Sequence, residues 1–263
     1  MEDIRTKTKA FLARFFQNVD LQDDQDIFAM GFVNSLFAMQ LVLFVENQFG
    51  VAVEDDDLDI DNFKSINAIA IASVVPPVNF TLKRMAEDYF HLTPLFIDHT
   101  IDTGVPILYQ PPSDVGADRI VDAVAAIHKY GAPCIVVDFG TATTFDAINA
   151  TGEYLGGVIT PGITISSDAL FERAAKLPRV EIKRPQKVIG SATVEAMQSG
   201  LYYGYVGLVD GILQRMIDEL GGAPRVIATG GLAALIAKGS GFIETVDETL
   251  TLEGLRLVYE RTK

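Results

Sequence analysis

Glycine is distributed very unevenly along this chain, and that distribution limits what the chain can fold into. Residues 1–103 contain two glycines, Gly31 and Gly50, whereas the rest of the 22 follow position 103. Glycine disfavours helices and marks turns, bulges and close backbone approaches. We therefore expect a glycine-poor helical part followed by a larger part rich in strands and turns.

Charge divides the chain at a similar place. Residues 1–70 carry 13 acidic and 5 basic side chains, and residues 71–263 carry 22 and 16, so the net charge of −14 splits into −8 and −6. Such acidity argues against nucleic acid and anionic membrane as partners, because both need a basic face. We expect two domains, residues 1–70 and 71–263, with no flexible linker before Pro76.

Targeting signals and cysteine usage add two expectations. The sequence has no signal-peptide pattern and no apolar run long enough to span a bilayer, so a cytoplasmic location is the default expectation. The single cysteine, Cys134, excludes an internal disulfide and lies in an apolar run, where we expect a buried thiol.

The N-terminal part has a helical apolar stripe that follows the sequence "GFVNSL". Leu36, Met39 and Leu43 recur at helical spacing, and Gly50 is a plausible helix end. Ser35, at the start of this pattern, has two interpretations. It either caps the helix, or it carries a phosphate-linked arm whose charge the helix N-terminus favours.

Residues 2–70 resemble an acyl carrier protein. The resemblance lies in "GFVNSL", the acidic surface and the closing "FKSINAIA". In that family the serine of a Gly-x-Asp-Ser-Leu motif carries 4′-phosphopantetheine, and Ser35 occupies that position, with Asn34 replacing the usual Asp. The resemblance implies two kinds of partner, a phosphopantetheinyl transferase and acyl-transferring enzymes that dock on the acidic face.

From residue 71 onward, strand and helix patterns alternate, which predicts an α/β fold. "GADRIVDAVAAIHKYG" predicts a helix that ends at Gly131, and "APCIVVDFG" predicts a buried strand. The segment "EYLGGVI" predicts a further strand, and a long helix follows over about 191–220. The segment "RVIATGGLAALIA" predicts a strand, a glycine turn and a helix.

Two glycine turns are candidates for nucleotide binding. In "DFGTATTFD" (138–146) small residues let main-chain amides approach a phosphate, and Asp138 or Asp146 could hold a cation that bridges phosphate oxygens. The alternative is an ordinary β-hairpin with a turn glycine. In "ATGGL" (228–232) a base or ribose could lie against bare backbone, and the alternative is simple turn chemistry.

Two helical features complete the pattern. In "GADR" (116–119), Asp118 could act as a base toward a substrate hydroxyl and Arg119 as a clamp on a carboxylate, or the pair could be a helix cap and a surface Arg. Glycines repeat inside the long helix, at a cost of about 1 kcal/mol each relative to Ala. Close packing in the core or in a dimer would offset that cost; these glycines are Gly200, Gly204, Gly207 and Gly211.

Residues 71–263 resemble type III pantothenate kinase, a family of the actin-like ATPase class. The matching motifs are "ASVVPP", "GADRIV", "VVDFGTATTFD", "GGVITPGI", "AMQSG" and "ATGGLA". The resemblance implies an actin-like (ribonuclease H-like) α/β fold, ATP-dependent phosphorylation of pantothenate, and a homodimer. It also implies magnesium and a monovalent cation, potassium or ammonium, as cofactors.

The same resemblance assigns roles to individual residues. Asp118 is the catalytic base that takes the pantothenate hydroxyl proton, and Asp138 lies at the phosphate and metal. The implied pantothenate contacts are Tyr109, Gly116, Arg119 and, across a dimer interface, Thr193. The implied ATP contacts are Gly140, Thr141 and Thr143 for phosphate, and Gly230 and Gly231 for adenosine.

One part of the family pattern has no counterpart. The family begins with a strand and an Asp-x-Gly-Asn-Thr phosphate turn, whereas residues 51–103 contain no glycine. We therefore expect an incomplete first lobe with an open sheet edge. Three interpretations stay open: a pantothenate kinase that works, though weakly; a carrier whose kinase-like part is a scaffold or dimeriser; and a fused or mis-joined chain without kinase activity.

Overall fold

The computed structural model describes residues 7–9, 12, 66–174 and 176–263. Ser35 and nearly all of the carrier-like part lie outside the described residues. The chain separates into two compact units, Met1–Ile66 and Asn67–Lys263. The second unit contains both sheets and all the predicted kinase residues, and within the described residues no helix is long and apolar enough to cross a bilayer.

The described part of the second unit alternates strands and helices, as predicted. Its strands are β1 (Ala70–Ile71), β2 (Leu95–Phe96), β3 (Cys134–Phe139), β4 (Ala142–Ile148), β5 (Tyr154–Pro161), β6 (Arg225–Thr229) and β7 (Thr245–Val246). Its helices are α1 (Pro76–Phe90), α2 (Ala117–Tyr130), α3 (Ile163–Arg173), α4 (Thr193–Leu220), α5 (Ala233–Ala237) and α6 (Leu250–Arg261), with a 3₁₀ turn at Pro112–Asp114.

The larger sheet has the order β5-β4-β3-β6-β7. Strands β3, β4 and β5 pair antiparallel, whereas β6 runs parallel to β3 and β7 parallel to β6. Asp138, near the end of β3, lies opposite Thr229, at the end of β6. The two glycine turns that follow these strands therefore lie at the same edge of the sheet.

Strand β3 is buried on both faces, as its continuous apolar run predicts. Ile135 and Val137 pack in a core with α4, whereas Cys134 and Val136 pack in a core with α2. The buried Cys134 thiol was predicted, and burial raises its pKa to about 12. The sheet therefore separates two helical layers and fixes the edge at which the turns meet.

The smaller sheet contains β1 and β2, paired parallel. Large apolar side chains are exposed in the segment that follows β1 and in the start of α1, and Phe80 is 70% exposed. The others are Val74, Val75 and Val78. Within the described residues this sheet has two strands, and so small a sheet covers little of the apolar surface of these side chains.

The glycines of α4 lie on a face of the helix that the second unit leaves uncovered. No described atom lies within 4 Å of the position that a Cβ would take at Gly200, Gly204 or Gly207. The opposite face carries Tyr202, Val209 and other buried side chains. The glycines therefore do not pack in the described core, and the dimer alternative stays a prediction.

Replacing Gly204 by Ala tests this face. If the face is in water, Gly204→Ala should raise the free energy of unfolding by about 1 kcal/mol, because Ala favours the helix. Gly254→Ala is the matched control and should destabilise strongly, since its Cβ would lie 2.0 Å from the Val121 carbonyl oxygen. Urea unfolding of both variants measures this, and a destabilised Gly204→Ala would indicate instead that a second copy of the chain covers this face.

Candidate active site

The two glycine turns meet at the carboxylate of Asp138. A Cβ at Gly230 would lie 2.5 Å from Asp138 Oδ1 and 2.7 Å from the Phe139 carbonyl oxygen, and Gly230 has a φ of +91°. A Cβ at Gly140 would lie 3.5 Å from Asp138 Oδ2. The two turns that the sequence suggested for nucleotide binding thus converge on one acidic side chain.

The first turn is the tip of a β-hairpin between β3 and β4. Phe139 pairs with Thr143, and Gly140 and Thr141, which separate the two strands, are both exposed. Helix α3 begins beside this tip, because a Cβ at Gly162, its N-cap, would lie 2.2 Å from the Thr141 carbonyl oxygen. The N-terminus of a helix carries partial positive charge, which favours an anion at this tip.

Asp118 lies in the first turn of α2 and folds back over Gly116. Its Oδ1 accepts a hydrogen bond from the Arg119 backbone N–H at 2.8 Å. A Cβ at Gly116 would lie 2.5 Å from the same oxygen, so a side chain at position 116 would displace this carboxylate. Asp118 is also close enough to Asp138 to raise the pKa of that residue. The predicted base and the predicted phosphate turn are therefore neighbours.

Four carboxylates are concentrated around this edge. Burial, and then the charges of Asp118 and Asp146, raise the pKa of Asp138 to about 6. Burial raises the pKa of Asp122 to about 8, and nearby carboxylates add to the rise while a Thr251 hydrogen bond opposes it. Among the described residues Asp122 Oδ1 finds no hydrogen-bond partner. Sequence reasoning missed Asp122, although its spacing of four from Asp118 was a signal.

Asp122 gives the stability of the chain a pH dependence. Its pKa is about 8 in the folded chain and about 3.8 ordinarily, so over that interval the folded chain keeps a proton that the unfolded chain releases. The free energy of unfolding therefore falls as the pH rises through this interval. Asp122→Asn stays neutral and should remove the part of the fall that Asp122 causes, so the free energy of unfolding should rise by on the order of a few kcal/mol at pH 8 and change little near pH 4.

Urea unfolding of Asp122→Asn and of the unmodified chain at pH 4, 6 and 8 measures this effect. Stability curves that run parallel over this range would show that Asp122 does not hold a proton in the folded chain.

Arg119 does not lie on the surface but in a buried network. Its Nε donates to Asp146 Oδ1 at 2.7 Å, and the side chain is 9% exposed. Tyr154 donates to the same oxygen at 2.6 Å, and Thr144 donates to Oδ2 at 3.0 Å. Burial raises the pKa of Asp146, and Arg119 opposes that rise. Protein donors contact both oxygens of Asp146, so of the two carboxylates that the sequence offered as cation ligands, Asp138 is the better candidate.

One nitrogen of Arg119 is left for a ligand. Within the described part of the chain Arg119 Nη2 is buried without a hydrogen-bond partner. It lies 3.0 Å from the position of a Cβ at Gly157, and the Tyr109 ring lies 2.9 Å from the position of a Cβ at Gly156. Two residues predicted to bind substrate thus lie at consecutive glycines of β5. Sequence reasoning missed Tyr154, whose position before "LGG" on a paired strand was the available signal.

The remaining predicted residues are more dispersed. Thr143 is buried, and its hydroxyl is 2.5 Å from the Tyr205 hydroxyl, which also donates to the Pro161 carbonyl oxygen. Gly231 is exposed beside Gly230, and no described atom lies within 4 Å of its Cβ position. Thr193 is the exposed first residue of α4. The Thr143 side chain therefore anchors the hairpin, whereas Gly231 and Thr193 are accessible.

Metal binding by protein groups alone has little support. Of the residues that the structure describes, no three His, Cys, Asp or Glu side chains are arranged to hold a metal ion. Magnesium commonly uses one or two carboxylates together with phosphate oxygens and waters. Asp138 fits such a minimal role, since its carboxylate lies between the two glycine turns.

Comparisons with known proteins bear on both parts of the chain. The type III pantothenate kinase family matches residues 46–215, and the phosphopantetheine attachment site family matches residues 4–72. The chain is 60% identical over 202 residues to a type III pantothenate kinase of Koribacter versatilis (strain Ellin345), which covers 77% of this chain and 74% of that protein.

A second relative and one solved structure extend the comparison. A type III pantothenate kinase of Anaeromyxobacter sp. (strain Fw109-5) is 61% identical over 199 residues, which are 76% of this chain and 78% of that protein. A Campylobacter jejuni structure described as a Baf family transcriptional activator is 21% identical, with a TM-score of 0.48, and the match covers 78% of this chain and 89% of that one.

Both resemblances that the motifs suggested are therefore confirmed at the level of the family. The phosphopantetheine match covers the carrier-like residues, whereas the kinase match covers more than half of the chain. With relatives about 60% identical over three quarters of its length, this chain belongs to the type III pantothenate kinase family.

Proposed function

We propose that this chain transfers the γ-phosphoryl group of ATP to the primary hydroxyl of pantothenate, which yields 4′-phosphopantothenate. The observation that carries the proposal is the convergence of both glycine turns on the Asp138 carboxylate, whose pKa the nearby charge of Asp118 helps to raise. Phosphoryl transfer needs a base near the acceptor hydroxyl and donors around the phosphates. The family to which the chain belongs supports the choice of both substrates.

The chemistry divides between the base and the turn. Asp118 takes the proton of the attacking hydroxyl, while the amides of Gly140 and Thr141 and the start of α3 neutralise phosphate charge. Thr143 supports the turn from the core through Tyr205. Adenosine lies against Gly230 and Gly231, where side chains are absent. Asp138 would hold magnesium or a monovalent cation, potassium or ammonium, which would neutralise charge on the phosphates.

Pantothenate occupies the side of the site that faces β5. Its carboxylate pairs with Nη2 of Arg119, and Tyr109 and Gly116 line the pocket. Thr193 completes it from a second copy of the chain in a homodimer. The uncovered glycine face of α4, the helix that begins at Thr193, supports this assignment.

The fold that accompanies this function is actin-like, with an incomplete first lobe. The two-stranded sheet and the exposed Phe80 beside it support the incomplete lobe. So does the extent of the match, which covers 74% of one relative and 78% of the other. Loss of a phosphate cradle weakens transition-state stabilisation, so we expect turnover that needs millimolar ATP.

A mass-resolved assay tests the proposal. The full chain is incubated with pantothenate, magnesium, potassium and about 5 mM ATP, which exceeds the usual KM range of roughly 1 μM–1 mM, and the product is identified by its mass. Formation of phosphopantothenate with matching release of ADP is expected. ADP release without phosphopantothenate, or no turnover at that ATP concentration, would overturn the proposal.

A second function is favoured by the match to the phosphopantetheine attachment family over residues 4–72. In this alternative Ser35 carries 4′-phosphopantetheine and the kinase part is a scaffold or dimeriser. Co-expression with a phosphopantetheinyl transferase should add the mass of one arm, and Ser35→Ala should prevent the addition. An unmodified chain under conditions that load a known carrier protein would exclude this function.

A further inference from the structure

We propose that Asp146 and Tyr154 are positioning residues that hold Arg119 so that its Nη2 can pair with the substrate carboxylate. The inference rests on the proposed function for the identity of that carboxylate. It concerns residues to which the family resemblance gave no role in substrate binding.

The network of described residues binds Nε of the guanidinium and leaves Nη2 without a partner. Arg119 Nε points to Asp146 Oδ1 at 2.7 Å, which is the short distance typical of a charge-assisted hydrogen bond. Nη2, in contrast, is buried and has no partner among the described residues. A buried donor without a partner is unfavourable, so a ligand that accepts from Nη2 gains the hydrogen bond that the protein omits.

Asp146 is itself held from three elements. Arg119 reaches it from α2, Tyr154 from β5, and Thr144 from two residues away on β4. The residue is fully buried, so water cannot replace a lost donor. The Tyr154 ring also lies beside the guanidinium, with 5.9 Å from Arg119 Cζ to the ring centroid. Together these contacts restrict a long side chain that would otherwise sample many rotamers.

This arrangement predicts a specific defect when Asp146 is neutralised. Asp146→Asn keeps the shape but removes the charge that holds Arg119 Nε. We expect the KM for pantothenate to rise at least about tenfold with kcat changed less than about threefold, the size expected for a charged hydrogen bond. Tyr154→Phe removes one donor and should raise this KM by about threefold.

The neutral primary amide of pantothenate, used as an alternative substrate, distinguishes a loss of Arg119 positioning from a general loss of structure. Its KM should change less than about threefold in Asp146→Asn, because it lacks the charge that Arg119 pairs with. Asp247→Asn is the matched control, since it breaks a buried carboxylate's contacts with Lys129 and Tyr130 at the far end of α2. That variant should lower stability and leave the pantothenate KM unchanged.

NMR of the Arg119 side chain tests the positioning role even if the chain shows no turnover. The Arg119 Nε–H signal, assigned by its loss in Arg119→Lys, should exchange slowly with water and shift when pantothenate is added. In Asp146→Asn it should exchange quickly and shift less. If the chain shows no turnover but the Arg119 Nε–H signal still behaves as expected, the proposed function is wrong and the positioning role stands. Equal signals in both chains, or equal KM changes for pantothenate and its amide, would overturn the positioning role.

Discussion

Asp118→Asn should lower kcat for pantothenate phosphorylation by about 10²–10⁴-fold, the range that a positioned general base contributes. The reason is local: the amide cannot accept the hydroxyl proton, although its oxygen can still accept the Arg119 backbone N–H that the carboxylate accepts at 2.8 Å. Helix α2 should therefore keep its N-terminal hydrogen bond. The measurement is steady-state kinetics with product identification.

Asp114→Asn is the matched control for this variant. Asp114 is exposed in the 3₁₀ turn four residues earlier, where its carboxylate accepts a hydrogen bond from Ser113. Its replacement should leave kcat within about twofold, as expected for a surface change. If Asp118→Asn retained full kcat while the fold was intact, another group would have to accept the proton.

Gly230→Ala should both destabilise the chain and abolish measurable ATP binding. A non-glycine residue at its φ of +91° is strained by about 1–3 kcal/mol. The new Cβ would also lie 2.5 Å from Asp138 Oδ1 and 2.7 Å from the Phe139 carbonyl oxygen, so the junction of the two turns must move. Thermal unfolding and calorimetric titration with an ATP analogue measure the two effects.

Gly231→Ala separates these effects because its Cβ meets no described atom within 4 Å and its φ is not positive. The variant should unfold like the unmodified chain but bind the ATP analogue at least about tenfold more weakly, since a methyl group would occupy the space proposed for adenosine. Unchanged ATP affinity in Gly231→Ala would place adenosine elsewhere.

Local sequence signals predicted the elements that carry the site. The apolar face of "GADRIVDAVAAIHKYG" and its closing Gly131 gave a helix that the structure has at Ala117–Tyr130, and "CIVVDF" gave a strand buried on both faces. These predictions succeed because period, caps and turn residues act within a few positions of one another. Strands of two residues, such as β1 and β7, carry too little pattern to be bounded in this way.

Contacts between distant residues could not be predicted. The sequence presented Arg119 as either a carboxylate clamp or a surface residue, and neither description includes its pairing with Asp146, 27 positions away. That pairing depends on the register between β4 and β5 and on the packing of α2, which no local pattern specifies. Likewise "DFGTATTFD" left a phosphate turn and a hairpin as alternatives, whereas the structure has a hairpin whose tip lies beside a helix N-terminus.

The most direct test of the account is a crystal structure of the full chain with a non-hydrolysable ATP analogue and pantothenate. We expect an Asp118 carboxylate oxygen within about 2.6–3.2 Å of the pantothenate primary hydroxyl, the reach of a general base. We also expect the γ-phosphate at the Gly140–Thr141 tip. Pantothenate bound with its hydroxyl away from Asp118, or phosphates bound away from that tip, would contradict it.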